Sequence, residues 1–225
     1  MVLIDTLEDC ITATEKLMQE EEIAVDMEGI DLCRDGKICL IQISGRTSPE
    51  NVYLFDIATL GKSAFLEGGL KELFEDQNIQ KIVYDGRGDN DALYHLYQVL
   101  MRNVYDLQVL FVQKFSNSND RFLKGLGTAL QKFGLSTKDI ETKRVGVALF
   151  DPKQGGCYKV WEERPLSDIL LQYAECDIKY VHAMKDKWSN DHYNETIPII
   201  AAKRIEKAVK SKTGASGRNM AMRDF

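Results

Sequence analysis

Apolar residues in the first 60 positions fall into short runs separated by polar turns. A helical pattern over 7–19 is followed by three runs with strand-like alternation, at 22–28, 37–44 and 51–57. The linkers between these runs contain Asp-Gly, Gly-Arg and Ser-Pro, which are typical of turns. The three strands are therefore predicted to form an antiparallel meander.

After residue 60 the pattern changes to helices that alternate with strands. Helices are predicted near 62–76 and 89–100, and strands at 81–84 and 103–106. Strands joined by a helix pair in parallel, because the helix carries the chain back across the sheet. The chain is thus predicted to be an α/β protein with a five-stranded mixed sheet flanked by helices.

Beyond residue 106 the sequence predicts only helices and loops, among them polar loops at 116–120 and 151–158. The chain has a formal net charge of −6, but seven basic and two acidic residues follow position 202. We predict one domain over residues 1–190, followed by a C-terminal helix and a basic, flexible tail over 191–225. This tail either contacts an anionic substrate or serves only solubility.

Composition and cysteine content exclude several classes of protein. The 44% hydrophobic and 28% charged fractions exclude wholesale disorder, and no apolar run approaches the roughly 20 residues of a membrane helix. The acidic N-terminus does not resemble a signal peptide. Five cysteines without C-x-x-C spacing indicate reduced thiols, so a cytoplasmic or nuclear location is expected, with no membrane partner.

Two acids alternate in the most apolar of the predicted strands. Asp26 and Glu28 are two residues apart, which places both on one face. Acids are rare inside strands unless they are paired or bind a metal. For these two residues alone, a solvated edge strand explains the pattern about equally well.

A third acid interrupts the apolar stripe of the helix predicted over 167–188. Asp177 lies among its core-facing positions, where an uncompensated carboxylate costs several kcal/mol. Tyr173 lies one turn earlier on the same face. A further cluster, Asp85, Asp89 and Asp91, follows the strand at 81–84, where acids can also simply cap a helix.

Carboxylates converging without histidine or cysteine are hard oxygen ligands that suit Mg²⁺ or Mn²⁺. Two such cations can activate a water and stabilise the leaving oxygen of a phosphodiester. Two phosphate motifs are absent, because Asp91 replaces the third glycine of G-x-G-x-x-G and Gly36-Lys37 lacks the rest of a P-loop.

These acids occur in segments that resemble the tyrosine-containing branch of the DEDD 3′→5′ exonucleases, which includes ribonuclease D and Werner-type domains. The matching segments are Val25-Asp-Met-Glu-Gly29, Val83-Tyr-Asp-Gly-Arg-Gly-Asp-Asn-Asp-Ala-Leu93, Val104-Tyr-Asp-Leu-Gln108, Trp161-Glu-Glu-Arg-Pro-Leu-Ser167 and Tyr173-Ala-Glu-Cys-Asp177. Leu107 stands where the family usually has threonine. The long first motif, continuing through Arg34 to Ile43, is most similar to the Egalitarian-like subgroup.

The resemblance implies a ribonuclease H-like fold whose second strand is antiparallel. It implies that two divalent cations, Mg²⁺ or Mn²⁺, are held by Asp26, Glu28, Asp89 and Asp177. It also implies that Tyr173 orients the attacking water. Alignment through Ala92-Leu93 gives Asp89 the metal position, and Asp85 and Asp91 are the alternatives in a shifted register. Met27 and Gly29 are weaker candidates for substrate contacts.

The expected function is metal-dependent 3′→5′ hydrolysis of single-stranded RNA or DNA to nucleoside 5′-monophosphates. The alternative is a non-catalytic RNA-binding adapter with an exonuclease-like fold, since Egalitarian-like domains can act as scaffolds. Either function allows protein partners in an RNA-handling complex.

Overall fold

The computed structural model describes residues 1–117 and 120–225, which contain a six-stranded mixed sheet. Its strands are β1 Val2–Ile4, β2 Glu22–Ile30, β3 Lys37–Gly45, β4 Val52–Asp56, β5 Gln80–Val83 and β6 Val104–Asp106. They lie in the order β1-β4-β3-β2-β5-β6. β3 runs antiparallel to β2 and β4, whereas β2, β5 and β6 are mutually parallel. The predicted α/β class and the antiparallel second strand of the meander are confirmed.

The predicted number of strands was wrong, because the sheet has six strands and not five. The additional strand, β1, pairs in parallel with β4 at the edge of the sheet. It has three residues, and Val2 and Leu3 are 50% and 38% exposed. Three residues are too few to show the alternation of apolar and polar positions that predicts a strand. Only the pairing with β4 defines this segment as a strand.

Helices flank the sheet. They are α1 Leu7–Leu17, α2 Ile57–Leu60, α3 Ser63–Leu66, α4 Leu70–Glu75, α5 Arg87–Ala92, α6 Leu107–Phe115, α7 Leu126–Phe133, α8 Thr137–Phe150, α9 Asp168–Lys179, α10 Val181–Trp188 and α11 Asp191–Lys210.

Three predicted helices are divided in the structure. The helix expected over 62–76 is broken between α3 and α4, where Gly69 has φ +83°, a conformation that favours glycine. The helix expected over 89–100 continues from α5 as a single π turn at Leu93–Tyr97. The helix expected over 167–188 is interrupted at Tyr180, whose hydroxyl donates a hydrogen bond to Asp139 on α8.

The alternation of β2 separates two apolar cores, one on each face of the sheet. Val25 and Met27 belong to one core, and Ala24 belongs to the other, which also contains Tyr173 of α9. By the same alternation, Asp26 and Glu28 lie on the face that α9 covers. The strand period and the helix stripe therefore bring their acids to one place.

The segment before α9 is tied to the sheet by an ion pair whose carboxylate is buried. Arg164 donates to both carboxylate oxygens of Asp56, the last residue of β4, which is 1% exposed. Asp56 also accepts from the backbone N–H of Thr59 at 3.0 Å and so caps α2. Burial opposes ionisation, but the bonds from Arg164 and Thr59 keep the pKa of Asp56 below its usual value. The pair fixes the start of the segment that carries Tyr173 and Asp177.

Replacing Arg164 by methionine should lower the free energy of unfolding by about 3 kcal/mol, because a buried carboxylate loses its partner. A lowered pKa stabilises the fold above the unfolded pKa of about 3.8, and this contribution is lost as pH falls through the folded value. The difference between variant and wild type should therefore shrink below pH 4. Arg144→Met, in an exposed pair with Glu141, is the matched control and should change stability by less than about 1 kcal/mol. Equal unfolding free energies for wild type and Arg164→Met would contradict this role.

The C-terminal part begins with α11, which packs against α5 and β6. Arg204, one of the seven basic residues after position 202, is 3% exposed and paired with Asp106, so it lies inside the fold. The division of the chain at residue 190 and the flexibility of the tail stay predictions. In the polar loop predicted at 116–120, residues 118 and 119 lie outside the described residues.

No helix in the described ranges combines the length and the apolar character needed to cross a membrane.

Candidate active site

Three carboxylates from two elements lie together where α9 crosses β2. One oxygen each from Asp26, Glu28 and Asp177 lies within 4.8 Å of the other two. Asp26 and Glu28 are half-buried, and Asp177 is 2% exposed. The cluster is therefore shielded by the fold but is not sealed from solvent.

The crowding of these carboxylates raises their pKa values. Burial, followed by the charge of Asp177, raises the pKa of Asp26 to about 8. Burial and the charges of Asp26 and Asp177 raise the pKa of Glu28 well above its usual value. Burial raises the pKa of Asp177 as well. A site that resists ionisation in this way is stabilised by a cation placed among the oxygens.

Asp89 enters the site from α5 and is 7% exposed. It is not one of the three residues whose oxygens all lie within 4.8 Å of one another. Burial, then the charges of Asp26, Asp85 and Asp106, raise its pKa well above the usual value. Within the described part of the chain, no lysine or arginine pairs with Asp89. Asp89 thus faces the cluster from the side of Asp26.

The two neighbouring acids are engaged elsewhere. Asp91 is fully buried and accepts from Arg34 through Nε at 3.0 Å and the backbone N–H at 2.9 Å. Asp85 pairs with Arg87 and Arg204. Asp85 and Asp91, the two alternatives to Asp89, are therefore both paired with arginines.

Tyr173 lies one turn before Asp177 on α9 and is 8% exposed. Its ring packs edge-on against Phe150, with 5.1 Å between centroids, and against Trp161 at 6.1 Å. Burial, then the charges of Asp177 and the two β2 acids, raise the pKa of the phenol far above its usual value. The hydroxyl therefore keeps its proton at neutral pH and can donate or accept a hydrogen bond beside the carboxylates.

Lys143 on α8 is a site residue that the sequence did not indicate. Its ammonium donates to Asp177 and lies 3.5 Å from the centroid of the Tyr173 ring. The side chain is 14% exposed. Its charge also acts on Asp26 and Glu28, where it lowers the pKa against the effects of burial and of the neighbouring acids. The side chain of Lys143 thus supplies a positive charge to the carboxylate cluster.

The sequence does contain one indication that α8 packs closely against another element, a glycine in its interior. Gly146 lies one turn after Lys143 in the interior of α8, where glycine costs about 1 kcal/mol relative to alanine. A Cβ at Gly146 would lie 2.5 Å from Cδ2 of Tyr173. The glycine lets α8 approach α9 closely, and that approach places Lys143 at the cluster.

Lys143→Met should destabilise the metal-free protein and enlarge the stabilisation that added Mn²⁺ provides. Methionine keeps the packing over Tyr173 but leaves Asp177 without its cation, a loss of about 3 kcal/mol when EDTA is present. An added cation no longer competes with the ammonium for Asp177, so the increase in melting temperature with Mn²⁺ should exceed that of wild type. Lys138→Met, at an exposed position of the same helix, is the control. Equal Mn²⁺-induced shifts in all three proteins would remove Lys143 from the cation site.

The two weaker candidates lie on either side of Glu28. Met27 is 3% exposed and points into the opposite core, so only its backbone faces the site. Gly29 lies at a bulge in the pairing of β2 with β3. A Cβ there would lie 1.9 Å from the carbonyl oxygen of Lys37, so the close approach of the two strands requires glycine.

The chemistry of the donors fits a hard divalent cation. Asp26, Glu28, Asp177 and the nearby Asp89 offer only carboxylate oxygens, the ligand type that Mg²⁺ and Mn²⁺ prefer. Burial and mutual repulsion raise the pKa values of these acids, and the ammonium of Lys143 offsets part of their charge. The arrangement can hold a metal ion, and it presents the Tyr173 hydroxyl beside it.

The fold matches solved structures of RNase D. RNase D of Trypanosoma brucei in complex with RNA U12 superposes with a TM-score of 0.79 at 25% identity, over 99% of this chain and 75% of that one. The GMP complex of the same enzyme gives 0.79 at 26% identity, over 98% and 68%. Escherichia coli RNase D, at 18% identity and a TM-score of 0.63 over 92% and 52%, shares the fold.

Sequence relatives agree with this match. The human piRNA biogenesis protein EXD1 is 32% identical over 168 residues, which are 73% of this chain and 32% of that protein. The Caenorhabditis elegans Egalitarian protein homolog is 32% identical over 106 residues, 45% of this chain and 18% of that protein. The chain spans between 18% and 51% of the length of the curated relatives it matches.

A family model described as 3′-5′ exonuclease matches residues 1–191. The matched range includes the four acids and Tyr173. The resemblance to ribonuclease D and Egalitarian-like proteins that the motifs indicated is confirmed, together with the ribonuclease H-like fold. The chain belongs to the 3′–5′ exonuclease domain family.

Proposed function

We propose that this protein is a metal-dependent 3′→5′ exonuclease that removes nucleoside 5′-monophosphates from single-stranded RNA or DNA. One observation carries the proposal. Asp26, Glu28 and Asp177 converge within 4.8 Å. The convergence supports a cation site, and the position of Tyr173, one turn before Asp177 on α9, supports a reaction at that site.

The four acids would hold the metal, with Asp89 completing the set from α5. Two divalent cations, Mg²⁺ or Mn²⁺, would supply the Lewis acidity that activates a water and neutralises the leaving oxygen. Asp177 accepts a hydrogen bond from Lys143, so a cation bound by Asp177 would compete with this ammonium. The ammonium is then free to interact with the phosphate of a bound nucleic acid.

Tyr173 would orient the attacking water. Its hydroxyl is neutral, and the ring is fixed by Phe150, Trp161 and Gly146. A hydrogen bond from a fixed group to a water contributes by holding the oxygen in line with the scissile bond. Tyr173 would therefore act on the reacting water without binding metal.

The known relatives support a nucleic-acid substrate. RNase D of Trypanosoma brucei has been solved with RNA U12 and with GMP, a 5′-monophosphate. The names of the curated relatives refer to piRNA biogenesis and to Egalitarian. The RNA complex of RNase D and the piRNA biogenesis name favour RNA over DNA as the first substrate to test, and the piRNA name favours a complex that handles RNA as the setting.

A non-catalytic RNA-binding adapter is the second candidate. The observation that favours it is Lys143, whose ammonium already neutralises Asp177 and would stabilise the fold without metal. An adapter would still bind nucleic acid and would dispense with the cations.

Oligonucleotides labelled at the 3′ or the 5′ end should separate these functions. With Mg²⁺ or Mn²⁺, a 3′ label on single-stranded RNA should be released at once as a mononucleotide. RNA that carries a 5′ label should become shorter stepwise. EDTA should stop both reactions. RNA that is bound but stays intact with either metal would contradict the exonuclease and support the adapter.

A further inference from the structure

A groove of about 580 Å³ opens beside Glu28. Residues of the loop after β2 line it, together with Tyr158. Residues 215–217 of the C-terminal segment line it as well. The groove thus connects a candidate metal ligand with a part of the chain that lies beyond the matched family range, 1–191. We call residues 211–225 the strap.

The strap is fastened where it meets α5. The backbone N–H of Ala215 donates to Asp91 at 3.1 Å. Asp91 is fully buried and is held by Arg34, whose guanidinium also donates to the carbonyl oxygen of Ser211 at 2.9 Å. One buried ion pair therefore ties the loop after β2 and the strap to the same helix.

A second fastening lies near the C-terminus. Asp224 accepts from Nη1 of Arg87 at 3.2 Å and from Nε of Arg204 at 3.0 Å. These arginines are 4% and 3% exposed. Breaking these ion pairs costs free energy, because two buried guanidinium groups would each lose a negatively charged partner.

Backbone pairing extends this second fastening. The N–H of Leu123 donates to the carbonyl oxygen of Ala221 at 2.8 Å, and the N–H of Arg223 donates to that of Arg121 at 2.9 Å. The strap therefore pairs with the segment before α7 like a short antiparallel strand. The strap is thus held on both sides of residues 215–217, the part that lines the groove.

The groove has the size and the charge for a nucleoside. Its volume falls in the range of small-ligand sites, about 300–1,000 Å³, and so suits one nucleoside better than a continuing chain. Glu28, Asp31 and Asp35 line it, and among its described lining residues there is no cationic side chain. Carboxylates accept hydrogen bonds from hydroxyl and amino groups and repel phosphate.

We propose that the strap is a fixed wall of the pocket that receives the terminal nucleoside, with residues 215–217 as its contact surface. This inference rests on the proposed function, since it assigns the nucleoside released by the exonuclease to the groove. The phosphate would remain at the carboxylate cluster with its cations. Residues 215–217 are Ala, Ser and Gly, whose small side chains leave the groove open.

A disulfide can test whether the wall is fixed. A Cβ added at Gly214 would lie 3.1 Å from Sγ of Cys33, close to the separation of about 3 Å that an S–S bond requires. Gly214→Cys, in a background with the exposed Cys157 changed to serine, should therefore crosslink to Cys33 on oxidation. We expect the crosslinked protein to bind guanosine 5′-monophosphate with Mn²⁺ as tightly as the reduced form, within about 3-fold. Loss of binding on oxidation, restored by reduction, would overturn the fixed wall, because the strap would then have to move away.

A bulky residue in the wall tests its contact with the nucleoside. Ser216 is exposed and lines the groove, so Ser216→Phe should raise the dissociation constant of guanosine 5′-monophosphate by about 10-fold or more. Thr213→Phe, also in the strap and exposed but outside the groove, is the control and should bind like wild type. Equal affinities in all three proteins would overturn the proposal.

These measurements test the nucleoside pocket and the exonuclease activity separately. Wild-type protein that binds the nucleotide, responds to Ser216→Phe and never cleaves RNA would refute the exonuclease and retain the pocket. Wild-type protein that cleaves RNA and is indifferent to Ser216→Phe would retain the exonuclease and refute the wall. Wild-type protein that binds no guanosine 5′-monophosphate would refute the pocket.

Discussion

Asp26→Asn is expected to lower 3′→5′ exonuclease activity by more than about 100-fold, because even residues that only support metal ligands contribute 10–100-fold. The variant removes one negative charge from a cluster whose oxygens lie within 4.8 Å. Asparagine has nearly the shape of aspartate, so the packing of β2 against α9 should be unchanged. Binding of Mn²⁺, measured by calorimetry, should weaken together with activity.

The same variant should be at least as stable as wild type when metal is removed with EDTA. The folded pKa of Asp26, about 8, lies above its usual value of 3.8. A raised pKa gives a contribution to stability that is complete below pH 4 and is lost as pH rises through 8. The advantage of Asp26→Asn in melting temperature should therefore grow between pH 4 and pH 8.

Asp5→Asn, at an exposed position outside the cluster, is the control and should match wild type in activity and in stability. Full activity of Asp26→Asn would remove Asp26 from the site. A melting temperature below that of wild type at pH 8 in EDTA would show that the carboxylates do not repel one another.

Tyr173→Phe is expected to reduce kcat by about 10²–10⁴-fold, the contribution of a positioned proton donor or acceptor. The substitution keeps the ring and its contacts with Phe150, Trp161 and Lys143, and it deletes only the hydroxyl. The hydroxyl is expected to act on the water in the transition state, so the loss should fall on kcat and leave KM nearly unchanged. Single-turnover cleavage of labelled RNA, with binding followed by fluorescence anisotropy, measures the two effects separately.

Tyr94→Phe, at an exposed tyrosine away from the cluster, controls for the loss of a phenol and should be fully active. An adapter would give a different result, with equal RNA binding in wild type and Tyr173→Phe and no metal-dependent turnover in either. A fall in RNA affinity that matched the fall in rate would instead make Tyr173 a substrate-binding residue.

Local patterns account for much of the candidate site. The period of two in β2 placed Asp26 and Glu28 on one face, and the helical stripe of α9 placed Asp177 and Tyr173 on another. The apolar face of a sheet and the apolar stripe of a helix are both buried when the helix packs on the sheet. Their convergence could therefore be expected before any coordinates were known.

Other features depend on partners that no local pattern identifies. The period of α8 does not show that Lys143 reaches Asp177, 34 residues later, because the intervening loops decide where α8 crosses α9. Three residues near the N-terminus became β1 only because the edge of β4 was free to pair with them. Asp91 likewise pairs with Arg34, 57 residues earlier, and Asp85 pairs with Arg204 as well as with its neighbour Arg87.

The sequence by itself determined the α/β class, the antiparallel meander, the family motifs and the acids of the cluster, because each is written in a short-range period or spacing. Only the tertiary structure decided where the C-terminal segment lies. Its composition predicted a basic tail, and the structure places Arg204 in the interior, where it binds Asp224, and the backbone N–H of Ala215 against Asp91. Net charge is a sum over residues, whereas a buried ion pair depends on which two residues the fold brings within 4 Å. The packing of α11 on β6 makes that choice, and residues 215–217, which follow α11, line a groove at Glu28.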